Sequence, residues 1–465
     1  MVKIKDITSI EQGFRYMVDN LEIQSAPGRR MLLNTAFCIN PSQLQDYFDH
    51  IEQCLHWINS ASSTQLQQIQ VKLSQVNDIE RTLANLANAA TLDDIELFEI
   101  KQFSLLALDV NELLVEIKYS LPFDIPDLTD AFRILDPENQ RIPHFYIYPT
   151  YDTELAHLRR KMELKSPEDK EEWAELFSRC AEKEDQIRQQ LSHQLVEHAS
   201  SLLLAFNALA QLDILLAKTL LALKFNLCKP KIDSTSTAYF GLINPWVQSL
   251  LATESKEFQA LSIELKAAPC LITGANMGGK TVLLKTLATA QYLFQFGFFI
   301  PAQKAQIMPV EEVVCSMGDQ QSTVQGLSSF AAEMLVIDKM IRLASSSKHI
   351  LALIDEPART TNPSEGKALV QAILDELNSL KIISVVTTHY SIPDSGIDRW
   401  QVKGLKIDQL PADLKPADLT LYMDYTLIKP SGDNMPAEGL KVASLLGVNK
   451  HLLERAKQYL NQNTQ

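Results

Sequence analysis

The sequence predicts two parts of different fold class, a mainly α-helical region over 1–230 and an α/β domain over 231–465. In the first part, apolar residues recur at helical spacing after start signals such as Asn40-Pro41. In the second part, a continuous apolar run of strand length at 350–354 and a largely apolar one at 382–386 alternate with stretches of helical spacing. This alternation favours buried parallel strands covered by helices.

A glycine-rich turn lies near the start of the α/β part. Gly274, Gly279, Lys280 and Thr281 fill the G-x-x-x-x-G-K-[ST] pattern, between a short apolar run and a stretch of helical spacing. Glycines allow backbone N–H groups to turn inward around a polyphosphate, the lysine can reach the β- and γ-phosphates, and the threonine can hold Mg²⁺. The alternative, a glycine-rich turn without a ligand, does not explain the lysine.

Two acids follow the apolar run at 350–354. Asp355 can hold the water shell of Mg²⁺, and Glu356 can orient or deprotonate an attacking water. The alternative is that both are solvated acids that cap a strand.

A histidine follows the apolar run at 382–386. His389 comes just beyond this predicted strand, at the carboxyl edge where α/β sheets bind ligands. There it can sense a γ-phosphate by hydrogen bonding, although a structural role is the alternative.

Small polar residues precede another predicted helix. Ser328 or Ser329 is a natural N-cap for the stretch that begins at Phe330. The exposed N–H groups at a helix start attract anions. From the residues alone, a simple capping role stays open.

Five segments, in this order, resemble motifs of the MutS family of DNA mismatch repair ATPases. They are 273–281, 326–330 with Glu333-Met334, 355–366, 388–390 and 439–448. The Asn-Met-Gly-Gly core of the first segment is a more specific sequence pattern than that of a generic phosphate loop. The resemblance therefore adds Asn276 and Gly278 to the nucleotide-binding residues.

This resemblance implies an α-helical core/lever domain followed by an α/β P-loop ATPase domain of the ABC type, with short C-terminal dimerising helices. It also implies a dimer in which each ATP, with Mg²⁺, lies between the phosphate loop of one subunit and the signature segment of the other. Ser328 would then contact the γ-phosphate in trans. Glu356 and His389 would be catalytic, and Thr281 and Asp355 would hold the metal. ATP would close the dimer, and hydrolysis would release it.

The resemblance is strong over 265–450 and faint before 230. Mismatch-repair members read DNA with a Phe-x-Glu motif, which this sequence does not contain. Between Arg160 and Glu171 only a short stretch remains for the clamp domain that grips DNA. We therefore expect a truncated form that lacks the mismatch-reading, connector and clamp domains.

The overall charge does not favour nucleic acid. Lys plus Arg number 43 against 57 for Asp plus Glu, which gives a net charge of −14, whereas nucleic-acid binders usually carry a basic surface. The best candidate for a local basic patch is Arg159-Arg160-Lys161, for which a solvated helix face is the alternative.

The loop after Glu356 departs from the mismatch-repair pattern. Ala358 and Thr360 replace the glycines that flank the arginine in typical members, and Leu327 in the signature segment replaces a basic residue. The run Asp-Glu-Pro-Ala-Arg-Thr-Thr-Asn-Pro is more similar to MutS-like reactivating factors of adenosylcobalamin-dependent aminomutases.

Three functions follow. The first is a MutS-family ATPase that binds DNA, as in mismatch repair. The second is an ATP-dependent reactivator or chaperone of a B12-dependent aminomutase, a client enzyme, with no DNA role. The third, the ATPase subunit of a transporter, predicts a Leu-Ser-Gly-Gly-Gln-like signature, which Gly326-Leu327-Ser328-Ser329-Phe330 fits poorly. A homodimer and a heterodimer with a related MutS-like subunit both remain open.

A cytoplasmic location without a membrane partner is expected. The six cysteines form no C-x-x-C pair, and the N-terminus lacks the apolar core of a signal peptide. The apolar stretch 201–225 is interrupted by Asn207, Gln211, Asp213 and Lys218, so it predicts a buried core helix rather than a membrane span.

Overall fold

The structure is a computed structural model, and the residues that it describes form two compact units. Described are 2–60, 63–117, 119, 121–142, 144–164, 170–274, 278–318, 329–346, 349–393, 396–406, 421–430 and 439–462. The sheet unit consists of Met1–Leu21, Thr35–Asp49 and Leu220–Gln465. The helical unit consists of Glu22–Asn34 and His50–Thr219.

Helices make up most of the regular structure before residue 230. In chain order they are α1 (Ile4–Thr8), α2 (Gln12–Asp19), α3 (Ala26–Asn34), α4 (Pro41–Ser60), α5 (Ser63–Ser74), α6 (Glu80–Ala87), α7 (Asp94–Glu116), α8 (Thr129–Leu135), a short 3₁₀ helix (Pro149–Tyr151), α9 (Thr153–Glu163), α10 (Lys170–Val196) and α11 (Ala199–Lys224). The predicted mainly helical N-terminal region is confirmed.

Strands and helices alternate in the rest of the chain. The strands are β1 (Lys231–Ile232), β2 (Ser236–Leu242), β3 (Leu261–Lys266), β4 (Pro269–Thr273), β5 (Lys304–Ile307), β6 (Glu312–Ser316), β7 (Ile350–Ile354), β8 (Ile383–Thr388), β9 (Asp398–Leu405) and β10 (Met423–Ile428). The helices are α12 (Pro245–Thr253), α13 (Lys280–Gln295), α14 (Ser329–Ser345), α15 (Pro363–Ser379), α16 (Gly439–Leu445) and α17 (Lys450–Gln462). This confirms the predicted α/β domain.

Side-chain caps fix several helix starts. Asp93 accepts hydrogen bonds from the N–H groups of the first turn of α7, and Asp152 does the same for α9. Asn244 and Asn362 cap α12 and α15. Each cap satisfies backbone donors that have no partner within the helix and contributes about 1 kcal/mol.

The larger sheet has six strands in the order β10-β9-β4-β8-β7-β6. All neighbours are parallel except β10, which is antiparallel to β9. In the register, Ile272 pairs with Thr387, and Ile354 pairs with Val386. Because β4, β8 and β7 run in the same direction, their carboxyl ends meet at one edge. A second sheet has the order β1-β5-β2-β3.

Helices α14 and α15 pack on the large sheet. Their apolar residues, such as Met340 and Leu374, form one buried cluster with strand residues Leu271, Ala352 and Val386. Fully apolar strands such as β7 are buried along their whole length, as expected for a parallel sheet covered by helices.

Residues from the first fifty positions fold with the sheet unit, which a single division at residue 230 does not anticipate. The side-chain amide of Gln295, at the end of α13, donates to the carbonyls of Cys38 and Val310, and its oxygen accepts from the N–H of Val310 at 2.8 Å. Phe14 and Phe37 pack on Phe296 with ring centroids 5.3 and 5.6 Å apart. These contacts secure the C-terminal end of α13.

Helix α11 is long and apolar enough to span a membrane by length and composition, but 56% of its most apolar window is buried inside the fold. Asp213, near its middle, accepts hydrogen bonds from the N–H groups of Gln24 and Ser25 at 2.9 and 2.7 Å and from the Ser25 hydroxyl at 2.6 Å. A buried carboxylate with three donors is compatible with a protein core. These contacts support the predicted core helix.

From sequence alone, Phe145-Tyr146-Ile147-Tyr148 could also form a short strand, and this expectation is wrong. These residues, all within the described chain, form no strand. Instead the Tyr148 hydroxyl is buried and donates to Asp136 at 2.8 Å, while Lys101 lies 3.4 Å from the same carboxylate. Side-chain hydrogen bonds therefore hold this segment in place.

Gly297→Ala should destabilise the sheet unit. Gly297 has φ +68°, and a Cβ there would lie 2.6 Å from Cδ2 of Tyr47. Left-handed strain and overpacking together should lower the free energy of unfolding by about 2–4 kcal/mol in chemical denaturation. Gly447→Ala is the control, because Gly447 has φ +75° but nothing within 4 Å of the added Cβ. Equal losses in both variants would contradict the steric argument.

Lys218→Met should change how stability depends on pH. Lys218 is half-buried in α11, and the desolvation of its amino group lowers its pKa to about 7. Since the pKa in the unfolded chain is about 10.4, the unfolded chain binds more protons between these values, and the wild-type free energy of unfolding rises from pH 7 to about pH 10. Lys218→Met should flatten this rise in denaturant titrations at several pH values. Lys224→Met, at an exposed position of the same helix, is the control. An unchanged slope in Lys218→Met would contradict the assignment.

Candidate nucleotide-binding site

Three predicted site segments meet at the carboxyl edge of the large sheet. Gly274 follows β4, Asp355 follows β7, and His389 follows β8, which lies between the other two strands. The parallel register brings these strand ends to one level. This is the edge where open α/β sheets place ligands.

The turn between β4 and α13 needs glycine at two described positions. Gly274 has φ +149° and Gly279 has φ +70°, and a Cβ at either would lie 3.1 Å from a neighbouring side chain, Val402 or Tyr425. Gly279 is also the N-cap of α13, whose first N–H groups have no partner within the helix. An anion at this helix start would be favoured by those groups and by the helix dipole.

Lys280, the first residue of α13, is buried with only 3% of its side chain exposed. Its Nζ donates to the carbonyl of Gly274 at 2.7 Å and lies 3.0 Å from Oε1 of Glu356. The ammonium group is therefore held at the mouth of the turn, beside the carboxylate that follows β7.

Asp355 is tied to two neighbouring elements through hydroxyl groups. Thr281 Oγ1 donates to its Oδ2 at 2.6 Å, and Thr387 Oγ1 donates to its Oδ1 at 2.6 Å. The N–H of Asp355 donates to the carbonyl of Ser316 at 2.9 Å. Carboxylate and hydroxyl oxygens are hard ligands, so the pair Thr281 and Asp355 fits Mg²⁺ that keeps waters and phosphate oxygens as its other ligands.

Glu356 stands between two cations. One carboxylate oxygen faces Lys280 at 3.0 Å, and the other lies 3.5 Å from Nη1 of Arg359. Its backbone has φ +46°, and its N–H donates to the hydroxyl of Thr387 at 3.0 Å. Thr387 therefore orders Asp355 and Glu356 together.

The loop that follows has a second left-handed residue. Ala358 has φ +59°, a conformation that costs roughly 1–2 kcal/mol for a residue with a Cβ and that glycine adopts freely. Its N–H donates to Oε1 of Glu333 at 2.9 Å, and its carbonyl accepts from the hydroxyl of Tyr390 at 3.1 Å. Burial raises the pKa of Glu333, while the Ala358 N–H and the charge of Arg359 lower it.

The other predicted residues have different placements. Gly278 is buried in the turn, and His389 is exposed at the edge, with its ring centroid 4.3 Å from that of Tyr390. Asn276 and Ser328 lie outside the described residues.

Sequence reasoning missed the hydroxyl contacts around Asp355 and the hydrogen bonds to Ala358. One signal was visible in β8, where Thr387 and Thr388 end a run of apolar residues. Both are fully buried, and buried polar side chains in an apolar strand need specific partners. Thr388 finds its partner locally, in the N–H of Tyr390 two residues on, but Asp355, the partner of Thr387, is 32 residues away in sequence, so only the fold reveals it.

Together these groups form a site with a defined chemistry. It combines a helix start and a buried ammonium group that attract anions with a carboxylate and hydroxyl that suit a divalent cation. A second carboxylate lies within reach of the same lysine. A metal–polyphosphate ligand fits this charge distribution.

Part of the chain is similar to known proteins. Residues 270–464 match the family model described as MutS domain V. Three similar proteins carry the name Endonuclease MutS2. That of Carboxydothermus hydrogenoformans is 31% identical over 285 residues, and that of Caldicellulosiruptor saccharolyticus is 32% identical over 301 residues. That of Caldanaerobacter subterraneus subsp. tengcongensis is 30% identical over 323 residues.

These similarities cover part of each protein. They include 60%, 62% and 68% of this chain but only 34%, 35% and 37% of the three relatives, so the chain spans about a third of their length. The family model covers the region from β4 to α17, which contains the site described above. Over this region the chain is similar to domain V of MutS proteins.

Proposed function

We propose that this chain binds ATP with Mg²⁺ and hydrolyses it at the edge formed by β4, β8 and β7. The observation that carries the proposal is the pair of contacts Lys280–Glu356 and Thr281–Asp355, which joins an anion site to a cation site. Gly274, Gly278, Gly279 and Asn276 would hold the phosphates, and Thr281 and Asp355 would hold Mg²⁺. Bound Mg²⁺ neutralises charge on the β- and γ-phosphate oxygens.

Glu356 is the residue best placed to act on water. In the structure its carboxylate pairs with Lys280, the residue that should bind the phosphates. When Lys280 turns to a phosphate, the carboxylate of Glu356 loses this partner and can accept a proton from the attacking water. His389, exposed at the same edge, would contact the γ-phosphate.

We propose that two such sites form in a dimer, with Ser328 of one subunit reaching the nucleotide of the other. Large apolar side chains at the C-terminal helices support an interface, since Leu446, Leu452 and Tyr459 are exposed. A γ-phosphate that touches both subunits would favour the closed dimer, and hydrolysis would release it. The partner is a second copy of this chain or a related MutS-like subunit.

The name of the relatives, Endonuclease MutS2, supports a DNA-related role as the first candidate. In the basic run at 159–161, Arg159 is engaged within the helical unit, because it donates to the carbonyl of Ile147 at 2.6 Å and to Glu184 at 2.8 Å, whereas Arg160 and Lys161 are exposed. The second candidate, an ATP-dependent reactivator of a B12-dependent aminomutase, is favoured by the loop residues Ala358 and Thr360. Either role suits a cytoplasmic protein.

Glu356→Gln should retain ATP binding but lose about 100-fold or more in turnover, because only the proton acceptor changes. Lys280→Ala should weaken ATP binding itself. Binding of a labelled nucleotide and steady-state phosphate release would separate these effects. Glu376→Gln, an exposed site on α15, is the control. Turnover at the wild-type rate in Glu356→Gln would disprove the role of that carboxylate.

The two candidate roles predict different ligands. A DNA-related role predicts binding to duplex, mismatched or branched DNA that weakens steeply as salt rises, because phosphate neutralisation releases counterions. Fluorescence anisotropy at low and physiological salt would measure it. Absence of binding to all three at low salt would contradict the DNA role, and ATP-dependent recovery of an inactivated aminomutase would support the alternative.

A further inference from the structure

We propose that Glu333 and Tyr390 are positioning residues that hold the backbone carrying Glu356, by binding the two sides of Ala358. This inference rests on the proposed ATPase function. The hydrogen bonds themselves are independent of it and can be tested separately.

Local contacts alone do not set the conformation of the loop after β7, although the N–H of Thr361 donates to the carbonyl of Ala358 at 3.4 Å. Glu356 and Ala358 both have positive φ, +46° and +59°, although neither is a glycine. Two such residues, separated only by Pro357, persist where the surrounding structure determines the backbone. The direction of the Glu356 carboxylate therefore depends on contacts from other elements.

The first contact comes from α14. Glu333 lies one turn into this helix and is buried, with 7% of the residue exposed. Its Oε1 accepts from the N–H of Ala358 at 2.9 Å. Burying a carboxylate is unfavourable unless it is hydrogen-bonded. The bond to Ala358 therefore explains why a buried position of α14 carries a glutamate.

The second contact comes from the end of β8. The Tyr390 hydroxyl donates to the carbonyl of Ala358 at 3.1 Å. Gly366, in α15, leaves the space for it, because a Cβ there would lie 2.4 Å from this hydroxyl and 3.0 Å from the same carbonyl. The N–H of Tyr390 donates to Thr388 at 3.0 Å, which fixes the residue directly after His389.

Contacts from two distant elements thus converge on Ala358, two positions after Glu356. Both backbone polar groups of Ala358 are bound, one by α14 and the other by the segment that follows β8. A shift of α14 would therefore move the loop and the Glu356 carboxylate with it. Helix α14 begins directly after the segment predicted to reach the second nucleotide, so this contact would couple that segment to hydrolysis.

The test compares variants that remove and retain each hydrogen bond. Glu333→Ala and Tyr390→Phe should each lower kcat by about 10- to 100-fold, the scale of a small misplacement of a catalytic group, with the Kd for ATP unchanged. Glu333→Gln keeps an oxygen acceptor and should restore most of kcat. Gly366→Ala should match Tyr390→Phe. Asp338→Ala, exposed on the same helix, is the control.

Hydrogen exchange of the amides at 358–361 is the independent readout. Exchange should accelerate in Glu333→Ala and Tyr390→Phe but stay at the wild-type rate in Glu333→Gln. Unchanged exchange and kcat in folded Glu333→Ala and Tyr390→Phe would overturn the proposal, and so would a loss in Glu333→Gln equal to that in Glu333→Ala. A wild-type chain that binds no ATP or hydrolyses none would instead contradict the proposed function, and the exchange data would still decide whether the two bonds hold the loop.

Discussion

The common direction of β4, β8 and β7 is the constraint on which the candidate site depends. These strands are adjacent, and their carboxyl ends lie at one edge. Side chains from three distant parts of the sequence therefore meet without any long excursion of the chain. Strand β8, in the middle, supplies Thr387, which contacts both acids that follow β7.

Electrostatics within this edge pair Lys280 with Glu356. Lys280 is nearly inaccessible to water, so its charge needs a partner nearby, and Glu356 provides one at 3.0 Å. The same contact occupies both groups that the proposed reaction requires.

Much of this edge could be predicted from sequence, because the motifs directly follow apolar runs of strand length. The site residues at Gly274, Asp355 and His389 come together as their strand positions imply. The backbone of Ala358 could not be predicted, since its left-handed conformation depends on Glu333 and Tyr390. The expected strand at 145–148 failed because periodicity does not reveal a long-range side-chain hydrogen bond. The packing of Phe14 and Phe37 on Phe296 could not be predicted either, because more than half of the sequence separates them from Phe296.

The way the two units share the chain has a consequence for biosynthesis. The helical unit is complete once residue 219 has left the ribosome, whereas the sheet unit combines residues from the first fifty with everything after 220. Domains tend to fold as units while the chain is made. The aromatic side chains of Phe14, Phe37 and Tyr47 therefore have no packing partner until α13 has been synthesised. During that interval these exposed aromatic side chains are the part of the nascent chain that would promote aggregation.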